Sequence, residues 1–291
     1  MDIENIHTIT TKIVELQDEN QCWNVLDKDD RYYPDFNYYV PNYKSTLWTL
    51  ILLADIQCDT NVNFTKPLNI ISNHFFDKKA NIYSIGKSHF PIPCLNGNML
   101  YLHSYFHFEE DTIPNKIIDF FAEYQRFDDG DFKTPSVFPY YSNRSCYGKH
   151  TCYWGIIKLF KGLSFIPRDK RSKNAKKLIE NCIDFILLHE VCFRSHDKSD
   201  FLHTNIKKLT FPNMYQADYL EILWLLKREE IHSRHMKKAL DLLKSKMKSD
   251  STWEIERPIK NMIIPIRKRN CANEFVTKRA REVIDYYERV K

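Results

Sequence analysis

The sequence predicts an all-α chain of helical hairpins in two layers. Three observations carry this: an apolar run that returns about every 50 residues, an amphipathic helix ahead of each run, and a shortage of glycine. The runs begin at Ser45 (Ser-Thr-Leu-Trp-Thr-Leu-Ile-Leu-Leu), Asn98, Thr151, Asp218 and Glu274, spaced 53, 53, 67 and 56 residues apart. The helices ahead of them are expected at Ile3–Gln17, Lys66–Phe76, Asn115–Gln125, Asn174–His189 and Arg234–Met247. In the fourth, apolar residues at 178, 179, 182, 183, 185, 186 and 187 form one broad stripe with Lys, Glu and Asp opposite. Such helices keep a wet face and belong outside. The runs are apolar around more of their circumference and belong inside. Only 6 of 291 residues are Gly, too few for many tight β-hairpins. The two layers either close into a barrel or extend as a solenoid.

Composition narrows the class. Apolar residues make up 43% and charged residues 28%, the balance of a globular chain. The length suits one domain over 1–291, with repeats at roughly 1–62, 63–112, 113–170, 171–230 and 231–291. The net charge is +5, but the basic runs at Arg168–Lys177 and Arg267–Arg269 are dispersed, so no nucleic-acid partner is expected. The first residues lack a basic segment followed by an apolar one, and the longest apolar stretch, near Leu47–Ala54, is too short to span a bilayer. A cytoplasmic location with 8 reduced Cys follows as an expectation. Aromatics reach 14%, which calls for thick aromatic packing or an aromatic pocket.

The loops after three outer helices share a second mark: Gln17 to Trp23, Gln125 to Phe132 and Lys246 to Trp253. Each resembles a degenerate QW motif, in which a Gln amide serves free backbone groups at a helix end and an aromatic ring covers the turn. Pro93-Cys-Leu-Asn-Gly-Asn98, Ser145-Cys-Tyr-Gly-Lys-His-Thr-Cys152, His189 with Arg194-Ser-His196, Phe211 to Asp218, and Trp253-Glu-Ile-Glu256 extend the likeness over nearly the whole chain. The chain resembles the terpenoid cyclase/protein prenyltransferase superfamily, in particular its prenyltransferase/squalene oxidase repeat proteins. That resemblance implies an α/α toroid of about five hairpins and an isoprenoid- or lipid-handling protein. It also implies a binding module as the alternative, since the superfamily includes non-enzymatic domains.

In such a toroid the inner-helix N-termini gather at one mouth, where free N–H groups favour anions. Three readings compete there. The first is zinc on Cys94, Cys146, His150 and Cys152, since thiolate and imidazole suit that ion. His150-Thr-Cys-Tyr153 resembles the segment supplying a zinc-ligand histidine in the protein farnesyltransferase β subunit, and Cys146-Tyr-Gly148 resembles a ligand motif of lanthionine cyclases. The farnesyltransferase pattern also has Asp-x-Cys one repeat earlier, where this chain has Asn96-Gly-Asn98. The second reading is acid-initiated cyclisation. The DxDD motif of class II cyclases is absent: Asp128-Asp129-Gly-Asp131 falls in a turn, which leaves Asp218 as general acid, with His150 as the other catalytic candidate. The third is binding alone, by an aromatic cavity or a rim that takes a protein partner. Trp48, Asn98, Tyr101, Trp154, Tyr215 and Trp224 are the candidate substrate-binding residues, with Phe106 beside them. His189, His196 and Asp197 form a second polar group, expected to serve loop and cap roles. Nucleophilic triads, phosphate-cradling Gly loops, dinucleotide fingerprints and His-Glu-x-x-His helices are absent from the sequence.

Overall fold

The computed structural model describes residues 3–24, 43–85, 91–106, 112–131, 133–142, 144–266 and 270–289. The basic run at 267–269 and Phe132 of the third turn lie outside them. The described chain is mostly helical. The amphipathic segments form α1 (Ile3–Val14), α3 (Thr65–Phe75), α5 (Ile113–Tyr124), α8 (Lys173–Leu188) and α10 (Lys237–Ser245). The apolar runs form α2 (Thr46–Asp55), α4 (Pro93–Tyr105), α7 (Tyr153–Ser164), α9 (Tyr219–Arg228) and α11 (Glu274–Arg289). A one-turn α6 (Arg144–Tyr147) precedes α7. A hairpin of β1 (Phe76–Asp77) and β2 (Ile82–Tyr83), which the sequence reading lacks, pairs Phe76 with Tyr83.

Two inner helices start earlier or later than the apolar pattern suggests. Helix α4 opens at Pro93, whose fixed φ and missing N–H suit a first turn. Asn98 therefore sits inside the helix, not at its end. Helix α7 opens at Tyr153 with Cys152 as N-cap. Helices α2 and α9 start where expected, behind Ser45 and Asp218, and end alike. In α2 the Gln57 and Cys58 amides return to Ala54 and Leu53; in α9 those of Glu230 and Ile231 return to Lys227 and Leu226. Gln57 and Glu230 carry φ of 60° and 59°, the left-handed closure of a helix C-terminus.

The first and last hairpins share one turn. Trp23 donates from its indole to the Ile13 carbonyl, and Trp253 to the Leu243 carbonyl, each at 2.8 Å. The Trp23 amide donates to Thr46 Oγ1, and the Trp253 amide to Thr277 Oγ1. Both rings are buried, so each indole closes an outer-helix carbonyl and the turn beneath it.

The inner helices run in one direction. At one end Tyr43, Cys94 and Cys152 lie close enough to Tyr215 to act on it electrostatically. Toward the other, Tyr101 packs edge-on to Phe165, and Phe165 tilts against Trp224. Helix α4 packs on α2 and α7, α7 on α9, and α9 on α11. Lys278 of α11 donates to Gln57 beyond α2 at 2.6 Å. The closest crossing joins α4 to α7. A methyl on Gly97 would collide with the Lys158 carbonyl, and one on Gly162 with the Gly97 carbonyl.

Charge occupies the space between these helices. Lys158 meets Glu221 at 2.8 Å and donates to the Asn213 carbonyl. Lys161 meets Asp55 at 2.6 Å and Glu221 at 3.0 Å, with its ammonium 4.3 Å from the Tyr101 ring centre. Arg279 donates to Asn213 Oδ1 and lies 4.5 Å from the Trp224 ring centre. All of these charged side chains are buried.

Two substitutions probe this packing in urea unfolding. Gly97→Ala should lower stability by about 1–3 kcal/mol through overpacking against backbone. Glu221→Gln should cost about 3–5 kcal/mol, because it leaves two buried ammonium groups short of a counter-charge. Wild-type stability in either variant would contradict the described packing.

Candidate functional site: a thiol cluster at the helix mouth

Cys94 lies in the first turn of α4, Cys152 caps α7, and Cys146 comes from α6. An antiparallel bridge from Tyr147 to Thr151 folds the intervening segment back, which brings Cys146 onto Cys152. The Cys146 thiol hydrogen-bonds Cys152, and Cys94 is near enough to act on it electrostatically. All three are free thiols.

The two partners split in acidity. The hydrogen bond from Cys146 brings Cys152 down to about 7; burial opposes this, and the Gly155 and Trp154 amides at the start of α7 assist. Donating that bond, together with burial, drives Cys146 the other way. Cys152 is thus the readier of the two to ionise. Burial, then the charges of Cys94, Cys152 and Cys146, raises the half-buried Tyr215 hydroxyl, so it stays protonated beside them. Tyr147 donates to the Pro91 carbonyl at 3.1 Å and packs edge-on to Tyr140.

Asn98 follows Cys94 by four residues, on the same face of α4. Its side chain is fully buried, and neither its amide nitrogen nor its oxygen has a hydrogen-bond partner. A buried amide with every polar position unmet is costly and marks a place for water or ligand. Asn96, two residues earlier, is anchored instead to the Tyr83 and Ile92 carbonyls.

The other expected site residues separate. Asp218 is the N-cap of α9: one carboxylate oxygen accepts from the Glu221 amide at 2.8 Å, the other from the Thr210 amide at 2.6 Å. Burial raises it to about 6, and both oxygens serve backbone donors, so it caps the helix. His150 does not join the thiols. Its Nδ1 lies 3.2 Å from Asp129, and its ring packs beneath Gly130. As it stands the His150 ring is turned to Asp129, and among the described residues no three His, Cys, Asp or Glu side chains form a ready metal site.

The aromatic candidates divide between mouth and interior. Trp48 is wholly buried and meets Tyr43 edge-on at 5.3 Å. Trp154, beside Cys152, is half-buried against Tyr153 and His203. Tyr101 donates to Asp55 at 3.2 Å, and Trp224 to Glu282 at 3.1 Å. The last two thus face the charged interior. Phe106 packs on Phe64 and Tyr105.

Two features escaped the sequence reading. One is the buried ionic group; its signal was Lys158 and Lys161, two charges three residues apart inside an apolar run. The other joins Asp129, His150, His189 and Ser195: Ser195 donates to Asp129, and His189 Nε2 lies 3.9 Å from Asp129 Oδ2. Hydrogen bonds from Ser195 and His150 outweigh burial and hold Asp129 below the usual carboxylate range, while burial lowers His189. No helix among the described residues is long and apolar enough to cross a membrane.

No family model, no curated protein and no solved structure matches the chain.

Alkylation by iodoacetamide, followed by peptide mass spectrometry, tests the thiol pair. Modification of Cys152 should rise with a midpoint near pH 7, since the thiolate is the reacting form. In Cys146→Ala the donor is gone, and the midpoint should move up toward the ordinary thiol range of about 8.5. An unchanged midpoint would show that Cys146 does not acidify Cys152.

Proposed function

We propose that this chain is an α/α toroid whose mouth performs thiolate chemistry on an isoprenoid or other apolar lipid. The observation that carries the reading is the placing of Cys146 beside Cys152 at the head of α7, one helix away from the unpaired amide of Asn98. The toroid is supported by inner helices that run one way, each packed on the next, and by the Lys278–Gln57 hydrogen bond between the last and the first.

In this reading Cys152 is the nucleophile. Its sulfur bonds the electrophilic carbon of an allylic diphosphate, the carbon–oxygen bond breaks, and diphosphate leaves with the electron pair. The α4 and α7 N-termini favour that anion, and Asn98 supplies a donor and an acceptor to the polar part of the substrate. Trp154, Tyr43 and Tyr215 offer an aromatic rim to the apolar chain. The chain is placed at the rim because Lys158, Lys161, Asp55, Glu221 and Arg279 occupy the interior. Protonation by Asp218 has no part in this reading, since backbone amides hold both its oxygens.

Incubation with farnesyl or geranylgeranyl diphosphate, read by intact mass, is the test. A single prenyl adduct should form on the wild type and be absent from Cys152→Ser; Asn98→Ala should slow it by about tenfold or more, the effect of losing one hydrogen bond of about 1.4 kcal/mol. No adduct with either diphosphate would leave the second reading, a non-catalytic binding module, which the ion-filled interior favours.

A further inference from the structure

His189 ends α8, and its Nδ1 lies 3.0 Å from the Phe193 carbonyl oxygen. A carbonyl only accepts, so Nδ1 carries the hydrogen, and the neutral ring presents a lone pair at Nε2. That Nε2 is buried and has no hydrogen-bond partner. It faces Asp129 Oδ2 across 3.9 Å, too far for a direct hydrogen bond. Oδ2 already accepts from Ser195. Two electron-pair donors thus face each other, the imidazole buried and the carboxylate partly exposed, and a cation between them would satisfy both.

The ring has little freedom to turn away. Tyr153 and Phe185 meet it edge-on at 5.1 and 4.8 Å. An Nδ1–H held by a backbone carbonyl is also the usual outer support of a metal-bound histidine. A third donor stands opposite. His150 Nδ1 lies 3.2 Å from Asp129 Oδ1, and a backbone bridge ties Asp129 to His150. Ligands each about 2.1 Å from one ion lie within about 4 Å of each other, and both separations satisfy this.

We propose that Asp129, His150 and His189 bind one divalent transition-metal ion through one carboxylate and two imidazoles. The site is open as it stands and closes when the exposed ring of His150 turns its nitrogen onto the ion. Two imidazoles and a carboxylate suit zinc, iron(II) or cobalt(II) over calcium or magnesium. A cleft of about 770 Å³ is lined by Gly130 and Lys149, the chain neighbours of Asp129 and His150. This site shares no residue with the thiol cluster, so it stands whether or not Cys152 reacts.

Cobalt(II) titration of the full chain, after chelator treatment and dialysis, separates the two places by colour. One equivalent should bind with weak visible bands and without the intense near-ultraviolet band of thiolate ligation. Asp129→Asn should weaken binding about 100-fold and His150→Ala about tenfold, whereas Cys146→Ser and Cys152→Ser should leave it unchanged. Circular dichroism checks that Asp129→Asn is folded; the exposed His150 keeps the test decisive if it is not. No cobalt uptake, a thiolate band abolished by Cys146→Ser, or wild-type affinity in His150→Ala would each overturn the proposal.

Discussion

Lys158 and Lys161 are fully buried ammonium groups, and the rest of the interior is arranged around their desolvation. Leaving either unpaired would cost several kcal/mol, so each must find a carboxylate before the helices close. Glu221 of α9 serves both, and Asp55 of α2 serves Lys161. Burial lowers Lys158, and Asp55 is held below the usual carboxylate range because Lys161 and Arg279 outweigh its own burial. Remaining valences go to neutral groups: the Asn213 carbonyl accepts from Lys158, and Tyr101 and the Asn213 amide donate to Asp55. Apolar burial alone would accept many helix arrangements. The ion pairs accept those in which α2, α7, α9 and α11 present these particular groups to one another.

The crossing of α4 over α7 has the same consequence at the mouth. Gly97 and Gly162 bring the two backbones into contact, which draws Cys94 at the head of α4 toward Cys152 at the head of α7. The fold-back of 147–151 then delivers Cys146. Helix N-termini stabilise negative charge, so a thiolate is most easily held there. The interior and the mouth therefore differ: one pairs each buried lysine with a carboxylate, the other keeps an ionisable sulfur and an unpaired amide at Asn98.

The helices were legible because their cause is local. Apolar spacing located the outer helices to within a few residues, and the polar residues before two apolar runs, Ser45 and Asp218, proved to be the caps of α2 and α9. Trp23 and Trp253 were read as covers for their turns, and each indole does close a carbonyl ten residues earlier. The α4 start was misplaced because Pro93 can open a helix whose first turn is polar. Cys94 and Cys152 lie at the heads of α4 and α7 because each precedes an apolar run, which is the local signal the sequence carries.

What the sequence by itself determined is that the chain is mostly helical and where its amphipathic and apolar helices fall. These follow from periodicity and caps, which act over a few residues. Only the tertiary structure decided what each polar group does. Asp218 binds two backbone amides, His150 turns to Asp129 rather than to the thiols, and His189 presents a bare nitrogen to the same carboxylate. Apart from the Glu221 amide, three residues on, those partners lie 8 to 60 residues away along the chain, and a side chain's role depends on which donor or charge the packing brings within about 3–4 Å of it, a distance no local pattern encodes.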